Sequence, residues 1–432
     1  MIVQQIVAKA LQKAQGAQAT MLTQETISVD FKNDRLKSTE SSQRTIIELK
    51  VIVDGKLGIS STTDPFEVDG VVSRALEAAE FGSPAHFDLP EPQQLREVKT
   101  FDPSLLPLQK PEMIRLGKKM MDMVKAYNPE ILAGALVRKN ILRFEYANSK
   151  GASYCGEHTD FHIGTGGELV RGTDILAIEE GIGQKTRRVD EEDLATRAIE
   201  YFRMAEEIAP VKTGAMPVIV APGGMLLLLL SLGLAVDGKN VFLGASPLRD
   251  KLNQQIADPR LTIVDDPLID FGPSTSAFDD EGVPRQVTPV IEKGVLKNFL
   301  YDLDTAGRAQ ARPTGHGSDR FPTNLVISPG ETPYEAMIAG IDDGLLVRGF
   351  LGLGQGNPIN GEFSVNLYLG YKIQKGKIVG RVKDVMLAGN VFDAIQDITA
   401  ISREREWVSG PYSWITGLLP YVQIGRLSVV AK

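Results

Sequence analysis

The sequence predicts an α+β fold, with an N-terminal α/β domain followed by a strand-rich C-terminal domain. Two observations carry this prediction. Helical and strand patterns form separate clusters in the first half of the chain. The second half is rich in glycine and in alternating apolar residues, which are typical of strands joined by tight turns. Separate clusters favour an α+β arrangement over a regularly wound parallel sheet.

Apolar residues at helical spacing predict four helices in the N-terminal part of the chain. They cover residues 2–15, 68–81, 111–127 and 191–208. Pro111 suits the first turn of the third helix, because a proline there lacks only an amide proton that would have no partner anyway. The fourth helix is expected to stop before Pro210, since the residue before a proline disfavours helical geometry.

Alternating apolar residues predict hairpins in both halves of the chain. Residues 42–64 form the clearest one, with the turn at Asp54 and Gly55. Residues 138–182 are also expected to be strands, with a turn at 148–151. Two more turns, at 292–294 and 374–377, lie between apolar segments of the C-terminal half.

A short polar segment at residues 210–214 is the best candidate for a domain boundary. It follows the last predicted N-terminal helix and precedes the glycine-rich half. We therefore expect an N-terminal α+β domain at residues 1–209 and a C-terminal strand-rich domain at residues 210–432.

Composition restricts the partners and the compartment. The chain has 432 residues, a net charge of −8 and a pI near 5.3, which argues against a general nucleic-acid surface. Its one cysteine, Cys155, excludes an internal disulfide and suits a reducing cytoplasm. No signal peptide is visible, and the longest apolar run, 225–236, is too short to cross a bilayer. We expect a cytoplasmic protein that binds neither nucleic acid nor membrane.

The densest set of potential metal ligands lies at residues 155–162. On a helix, His158 and His162 would share one face and could bind zinc. The surrounding glycines favour a strand, on which residues four apart lie roughly 13 Å from each other. An ordinary polar sheet face is therefore the preferred interpretation, and a metal site is the alternative.

Two loops carry polar groups that could contact a ligand. Residues 279–284 contain three carboxylates beside a glycine and a proline, which favours a structured turn over a cation site. Residues 313–320 place His316 between Gly315 and Gly317, in a setting expected to be flexible and polar. This loop is a candidate for substrate contact, and a turn with an exposed histidine is the alternative.

The glycine run at residues 349–356 lacks the Lys-Ser/Thr ending and the strand–turn–helix setting of a phosphate loop. Backbone beside a cleft, or tight strand packing, explains it better.

The order of several segments resembles the TldD/PmbA family, the metallopeptidase-related proteins also called modulators of DNA gyrase. The matching segments are residues 217–222, 279–284, 313–317, 322–324, 361–364 and 388–390. The resemblance implies an α+β fold with a strand-rich C-terminal domain. In the catalytic TldD-type members, a His-Glu-x-x-x-His helix and a later cysteine hold zinc.

Aligned from residues 221–223, the metal positions of that helix fall on Leu230 and Ala235, and the general-base position on Ser231. No His, Glu or Asp occurs between Ala221 and Val236, and no cysteine follows Cys155. Zinc catalysis needs imidazoles and a carboxylate, so this chain resembles the metal-free PmbA/TldE type.

The resemblance implies a non-catalytic subunit of a cytoplasmic protease that acts on unfolded peptides and small proteins. The expected partners are a TldD-type catalytic subunit, which would carry the zinc, or a second copy of the chain, together with an extended peptide. No cofactor is expected in this chain. The residues expected to line the peptide site are Gly315, His316, Gly317, Thr323, Asn324, Gly352 and Gly354.

Two other functions are alternatives to this one. The chain could be a metallopeptidase itself, with zinc recruited elsewhere, for example by Cys155, Glu157 or His158. A nucleic-acid regulator, which the older family name suggests, fits poorly with the acidic charge.

Overall fold

The computed structural model describes residues 1–353, 355–409 and 415–431. The helices are α1 Ile2–Ala10, α2 Val68–Ala79, α3 Lys110–Tyr127, α4 Glu191–Met204, α5 Leu226–Val236, α6 Gly238–Phe242, α7 Leu303–Ala309, α8 Tyr334–Ala339 and α9 Val391–Ala394.

The strands of the first half are β1 Gly16–Lys32, β2 Arg35–Val53, β3 Lys56–Thr62, β4 Leu132–Asn148, β5 Ser153–Arg171 and β6 Asp174–Gln184. Those of the second half are β7 Gly214–Val220, β8 Ile263–Asp265, β9 Thr288–Glu292, β10 Val295–Leu296, β11 Leu325–Ile327, β12 Asp343–Leu351, β13 Glu362–Gln374, β14 Lys377–Arg381, β15 Val385–Asn390, β16 Ile398–Val408 and β17 Gly417–Ala431.

The six strands of the first half form one antiparallel sheet in the order β3-β2-β1-β4-β5-β6. Its strands run up to 19 residues, and alternate side chains face the helices. Helices α1 and α2 cover one end of this face, and α3 and α4 cover the other. The opposite face of β1, β4 and β5 meets loops from residues 95–100 and 276–285.

The C-terminal half is built around a sheet that closes on itself. Its strands β7, β12, β13, β15 and β17 form a ring, because β7 pairs with β12 on one side and β17 on the other. Strands β8 to β11 extend from this ring through the pairing of β11 with β17. The largest apolar core lies here, and α5 is part of it.

The two halves share a second core. Apolar residues of α3 and α4 pack with Ile219, Leu346 and Tyr371 of the C-terminal ring. The boundary near residue 210 stays a prediction, since the packing is continuous across it.

The predicted α+β class is confirmed, and most of the predicted elements are present. The differences lie at helix ends. Helix α1 ends at Ala10 rather than residue 15, because the amide of Gln15 already bonds to Ile52 in the sheet. Helix α4 ends at Met204 rather than residue 208, because Ile208 forms a bridge to Arg381. No helix in the described ranges is both long and apolar enough to span a membrane.

Candidate functional site

Helix α5 consists almost entirely of aliphatic side chains. It follows a short 3-10 turn at Pro222–Gly224, which leads the chain from β7 into the core. Eight of its eleven residues are buried, and the three that are half-buried, Leu226, Leu230 and Leu234, share one face at four-residue spacing. The sequence forms this helix because leucine has high helix propensity and the core accepts apolar groups on nearly every side.

The positions aligned with the metal site lie on this helix. Ala235 is fully buried, and Leu230 is half-buried. Ser231 is buried, and its hydroxyl has no hydrogen-bond partner among the described residues. These side chains offer a metal ion two hydrocarbons and one neutral hydroxyl, which do not fit zinc. In the described part of the chain, no three His, Cys, Asp or Glu residues lie close enough to hold a metal ion.

The alternative interpretation of residues 313–320, a turn with an exposed histidine, is wrong. Its imidazole is 1% exposed and lies between two partners. Nδ1 lies 2.8 Å from the Thr314 hydroxyl, and Nε2 lies 2.9 Å from Oδ2 of Asp265, which is fully buried. Both ring nitrogens are therefore used within the protein. Peptide contact by His316 stays a prediction that this geometry does not favour.

Thr323 and Asn324 belong to the same buried group. The Thr323 amide and hydroxyl donate to the two carboxylate oxygens of Asp265, at 2.6 and 2.8 Å. Asn324 is fully buried, donates to the Asp266 carbonyl and Thr275, and accepts the amide of Ser274. Their polar atoms hold residues 262–276 against the loop before β11. Their expected contact with peptide is likewise untested and lacks support from their burial.

Gly315 and Gly317 are needed for packing. Both have positive φ, at 74° and 62°. A Cβ on Gly315 would lie 2.7 Å from the Pro284 carbonyl, and one on Gly317 would overlap Asp280. The two glycines thus let this loop contact residues 280–285 closely.

The glycine run is tightly packed at its start. Gly349 lies within β12, where a Cβ would collide with the ring of Tyr368. Gly352 has φ of 90° and is half-buried after the end of the strand. Gly354 lies outside the described residues. Tight strand packing therefore accounts for Gly349.

The strand interpretation of residues 155–162 is confirmed, since they all lie on β5. Neighbouring residues alternate between faces, so Cys155 and Glu157 lie on one face and His158 on the other. Glu157 also accepts a hydrogen bond from Arg143 at 2.9 Å. The proposed alternative zinc ligands Cys155, Glu157 and His158 therefore do not converge.

The acidic segment is a structured turn, as predicted. One carboxylate oxygen of Asp279 accepts the amides of Glu281 and Val283, each at 2.9 Å. The Glu281 carbonyl accepts the Tyr146 hydroxyl at 2.8 Å, which joins the turn to the N-terminal sheet. Burial raises the pKa of Asp279 to about 6 and that of Glu281 to about 8.

Strand β6 presents an open edge beside the C-terminal ring. It pairs with β5 on one side, and its other side pairs with no strand in the described ranges. Near the end of β6, the Ser409 hydroxyl accepts the amide of Gly183 and donates to its carbonyl, so the open part of the edge lies before Gly183. A cavity of about 620 Å³ lies alongside, lined by Ile175, Glu179, Leu351 and Tyr368, among others. Ile175 and Leu351 are more than 60% exposed. An unpaired edge and exposed apolar side chains can together accept another extended chain.

A buried charged group lies at a neighbouring cavity, which shares Glu179 and Tyr368 with this cleft. The guanidinium of Arg348 lies 3.6 Å from the centroid of the Tyr201 ring and 3.4 Å from the Glu180 carboxylate. Arg197 also contacts Glu180, at 3.2 Å. The cluster ties β6, α4 and β12 together, so it fixes the position of the open edge relative to the ring.

Sequence reasoning missed Asp265, Arg348 and the edge of β6. Asp265 ends a short apolar strand, and a carboxylate at a strand end is a signal that could have pointed to it. Arg348 follows the apolar run 344–347 within β12, which is also visible in the sequence. Whether the edge of β6 is paired depends on contacts between residues far apart in sequence, which no local pattern shows.

Comparison with protein-family models assigns most of the chain. Residues 213–431 match the PmbA/TldA metallopeptidase C-terminal domain, and residues 21–79 match domain 1 of the same family. The chain belongs to the PmbA/TldD family. This confirms the resemblance that was based on the order of the matching segments between residues 217 and 390.

Similar proteins cover most or all of the chain. An uncharacterized protein of Methanocaldococcus jannaschii is 27% identical over 382 residues, which cover 86% of this chain and 88% of that protein. A Thermotoga maritima protein, described as a modulator of a DNA gyrase, has a crystal structure with a TM-score of 0.91. It is 25% identical and covers 99% of both chains.

TldE from Thermococcus kodakarensis also has a TM-score of 0.91, at 22% identity and full coverage of both chains. At this identity the likeness shows a common fold. The PmbA/TldD fold, with its strand-rich C-terminal half, is therefore that of the present chain.

Proposed function

We propose that this chain is a metal-free, non-catalytic subunit of the PmbA/TldE type, in a protease system of the TldD/TldE kind. The observation that carries the proposal is helix α5. Where a zinc peptidase needs two imidazoles and a carboxylate, this helix has Leu230, Ala235 and Ser231. The aliphatic side chains are part of the largest core, so α5 stabilises the domain.

Catalysis then depends on a partner. We propose a TldD-type subunit that carries the zinc, and a second copy of this chain is the other candidate. The TldE name of a full-length structural neighbour supports the choice of type. The family assignment as metallopeptidase supports peptide hydrolysis as the activity of the assembly.

The substrate is proposed to be an extended peptide held at the open edge of β6. Main-chain groups of an edge strand bind any extended chain, so the affinity does not depend on a particular sequence. The cavity beside β6 supplies apolar contacts through Ile175, Leu351 and Tyr368. Leu351 belongs to the glycine run 349–356, which was expected to lie beside a cleft.

Charge at this cleft is only partly compensated within the protein. Asp174 pairs with both Arg381 and Lys383 at one end. Glu179 and Asp384 also line the cleft and form no ion pair within the described residues. The proposed binding of unfolded peptides therefore rests on the backbone edge and on the apolar side chains beside these charges.

The experiment is reconstitution of peptide cleavage. The purified chain alone, a TldD-type partner from the same genome, and the mixture are assayed on an unfolded model peptide such as reduced insulin B chain. We expect no cleavage by the chain alone and cleavage by the mixture. Cleavage by the chain alone at the rate of the mixture would contradict a non-catalytic role.

The peptide site is tested separately with a matched pair of variants. Ile175→Lys places a charge on the edge strand β6, and Ile59→Lys does so on the other edge strand, β3. Both side chains are exposed, at 65% and 47%, so neither change should unfold the protein. We expect only Ile175→Lys to weaken peptide binding, by about fivefold. A bound peptide would cover the lysine, and burial of its charge opposes the apolar contact that Ile175 makes. Equal effects of the two variants on peptide binding would contradict binding of the peptide at the edge of β6.

A further inference from the structure

A second cavity, of about 400 Å³, lies against the face of the N-terminal sheet opposite helices α1 to α4, away from the edge of β6. Its walls come from β1, β4 and β5 and from the loops around residues 95–100 and 276–285. This volume falls within the usual range for small-molecule sites. We refer to it as the β4–β5 cavity.

The floor of the β4–β5 cavity is a row of apolar side chains with one gap. Leu22 on β1 lies opposite Phe144 on β4, which in turn lies opposite Gly156 on β5. Beyond Gly156 the space is open, since a Cβ there would approach only His158, at 3.7 Å. The ring of Phe278, 5.5 Å from that of Phe144, contributes from the opposite side. A residue with no side chain therefore creates much of the space.

A guanidinium at this cavity donates its hydrogen bonds to neutral groups and to no carboxylate within the described residues. Arg285 donates from Nε to the Ser276 hydroxyl at 2.7 Å and from Nη1 to the Gly315 carbonyl at 2.9 Å. Both partners are neutral, and Arg285 forms no ion pair within the described residues. Two fixed hydrogen bonds orient the group, so little entropy is lost when it binds an anion.

Two of the three carboxylates that line the cavity accept hydrogen bonds from other groups. Asp279 accepts two backbone amides of its own turn, and Asp280 accepts the amide and hydroxyl of Ser318. Glu97, which is exposed, also lines the cavity. The charge of Arg285 acts on Asp279 and opposes the rise in the pKa of that carboxyl, but Arg285 donates no hydrogen bond to it, so N–H groups of the guanidinium remain for an incoming anion.

His158 supplies a polar group at the same cavity as Arg285. It lines the cavity, and it forms no hydrogen bond within the described part of the chain. Burial, with a further contribution from Lys185, lowers the pKa of His158 to about 4. The imidazole is therefore neutral at pH 7 and can donate or accept one hydrogen bond.

From these features we propose that the β4–β5 cavity binds a small organic acid, with an apolar body over Gly156 and a carboxylate at Arg285. Leu22, Leu142, Phe144 and Phe278 enclose the apolar part. The one N–H of the neutral His158 imidazole donates a hydrogen bond to that carboxylate. The site is separate from the open edge of β6, so it extends beyond the proposed peptide function.

The test is isothermal titration calorimetry with 4-phenylbutyrate and its neutral counterpart 4-phenylbutan-1-ol. We expect saturable binding of the acid, and binding of the alcohol at least about tenfold weaker, because the alcohol cannot pair with Arg285. Absence of saturable binding by the acid, or equal affinity for the alcohol, would overturn the proposal.

Variants locate the binding. Gly156→Leu fills the cavity on a strand position where a side chain is sterically allowed, and we expect it to abolish binding of the acid. Gly214→Leu is the matched control, since a Cβ on this strand glycine would have open space within 4 Å and lies elsewhere on the molecule. Arg285→Gln should weaken binding at least about tenfold, with thermal unfolding used to verify its fold. Binding by Gly156→Leu equal to that of the unaltered chain would contradict the assignment.

Discussion

Helix α5 and the loop at residues 313–324 lie against each other in the C-terminal half, yet the helix buries apolar side chains and the loop buries polar ones. The ring of Phe321 packs on Gly233, and Arg320 pairs with Asp237 at the end of the helix. The helix is hydrocarbon except for Ser231. The loop instead buries polar groups around Asp265 and gives each of them a partner.

This difference shows why residue type alone does not identify a functional site. Ser231 stands where a catalytic carboxylate would be expected, and it is a buried hydroxyl without a partner in the described residues. His316 has the chemistry of a substrate ligand, and both of its nitrogens are engaged. Burial and partners, rather than the presence of a histidine or its absence, decide the role.

The largest effect is expected from Asp265→Ala. This change removes the acceptor of His316 Nε2 and of the Thr323 amide and hydroxyl, in a fully buried position. Leaving a buried donor without its acceptor costs about 1–3 kcal/mol, and this change affects three donors. Urea denaturation measures it, with Asp266→Ala as the neighbouring control. A loss no larger than that of the control would mean that the polar loop does not hold the fold.

Leu227→Ala tests the apolar packing of helix α5. Leu227 is fully buried in α5, and its truncation leaves a cavity that costs about 3 kcal/mol. Leu230→Ala, on the half-buried face, should cost clearly less. Thermal unfolding of the two variants compares them. Equal losses would contradict the packing of α5 described above.

Glu281→Gln tests a buried carboxylate that, unlike that of Asp265, accepts few hydrogen bonds. Burial raises the pKa of Glu281 from 4.5 to about 8, and its carboxylate accepts a hydrogen bond from the Leu303 amide. Because the folded state holds this proton more tightly, its contribution to stability is full below the unfolded pKa. That contribution is lost as pH rises from the unfolded pKa to the folded pKa of about 8. The slope is up to about 1.4 kcal/mol per pH unit.

Glutamine keeps an acceptor for Leu303 without ionising. The free energy of unfolding of Glu281→Gln should therefore fall less between pH 6 and pH 8 than that of the unaltered chain. Asp279, with a pKa of about 6, contributes a smaller slope that remains in both proteins. Urea denaturation at the two pH values measures the difference, and parallel pH profiles would contradict it.

The smallest effect is expected from Ser231→Ala. Removing a buried hydroxyl that has no partner in the described residues should change stability by less than about 1 kcal/mol, or raise it slightly. Ser246→Ala is the control, because the Ser246 hydroxyl donates to the Ala235 carbonyl at 2.6 Å. Thermal unfolding should rank Ser246→Ala as the less stable. If Ser231→Ala were the less stable of the two variants, the Ser231 hydroxyl would contribute to stability, which would contradict the account.

Local patterns were enough to predict most of the fold. The Asp54–Gly55 turn, the strand nature of residues 155–162 and the apolar helix after Pro222 all follow from periodicity and turn chemistry. Helix ends were less accurate at α1 and α4, because tertiary pairing of Gln15 and Ile208 overrides helical preference.

The candidate site was less accessible to sequence reasoning. The loss of metal ligands on α5 could be seen directly, since it depends only on residue identity. The burial of His316 could not, because its partner Asp265 lies 51 residues away. The open edge of β6 and the gap over Gly156 likewise depend on which strands become neighbours.

The measurement that tests the central claim most directly is zinc content by elemental analysis of the purified chain after equilibration with zinc. The aliphatic helix predicts far less than one zinc ion per chain and no metal-dependent peptide cleavage. Near-stoichiometric zinc, whose removal abolishes cleavage by the chain alone, would contradict it.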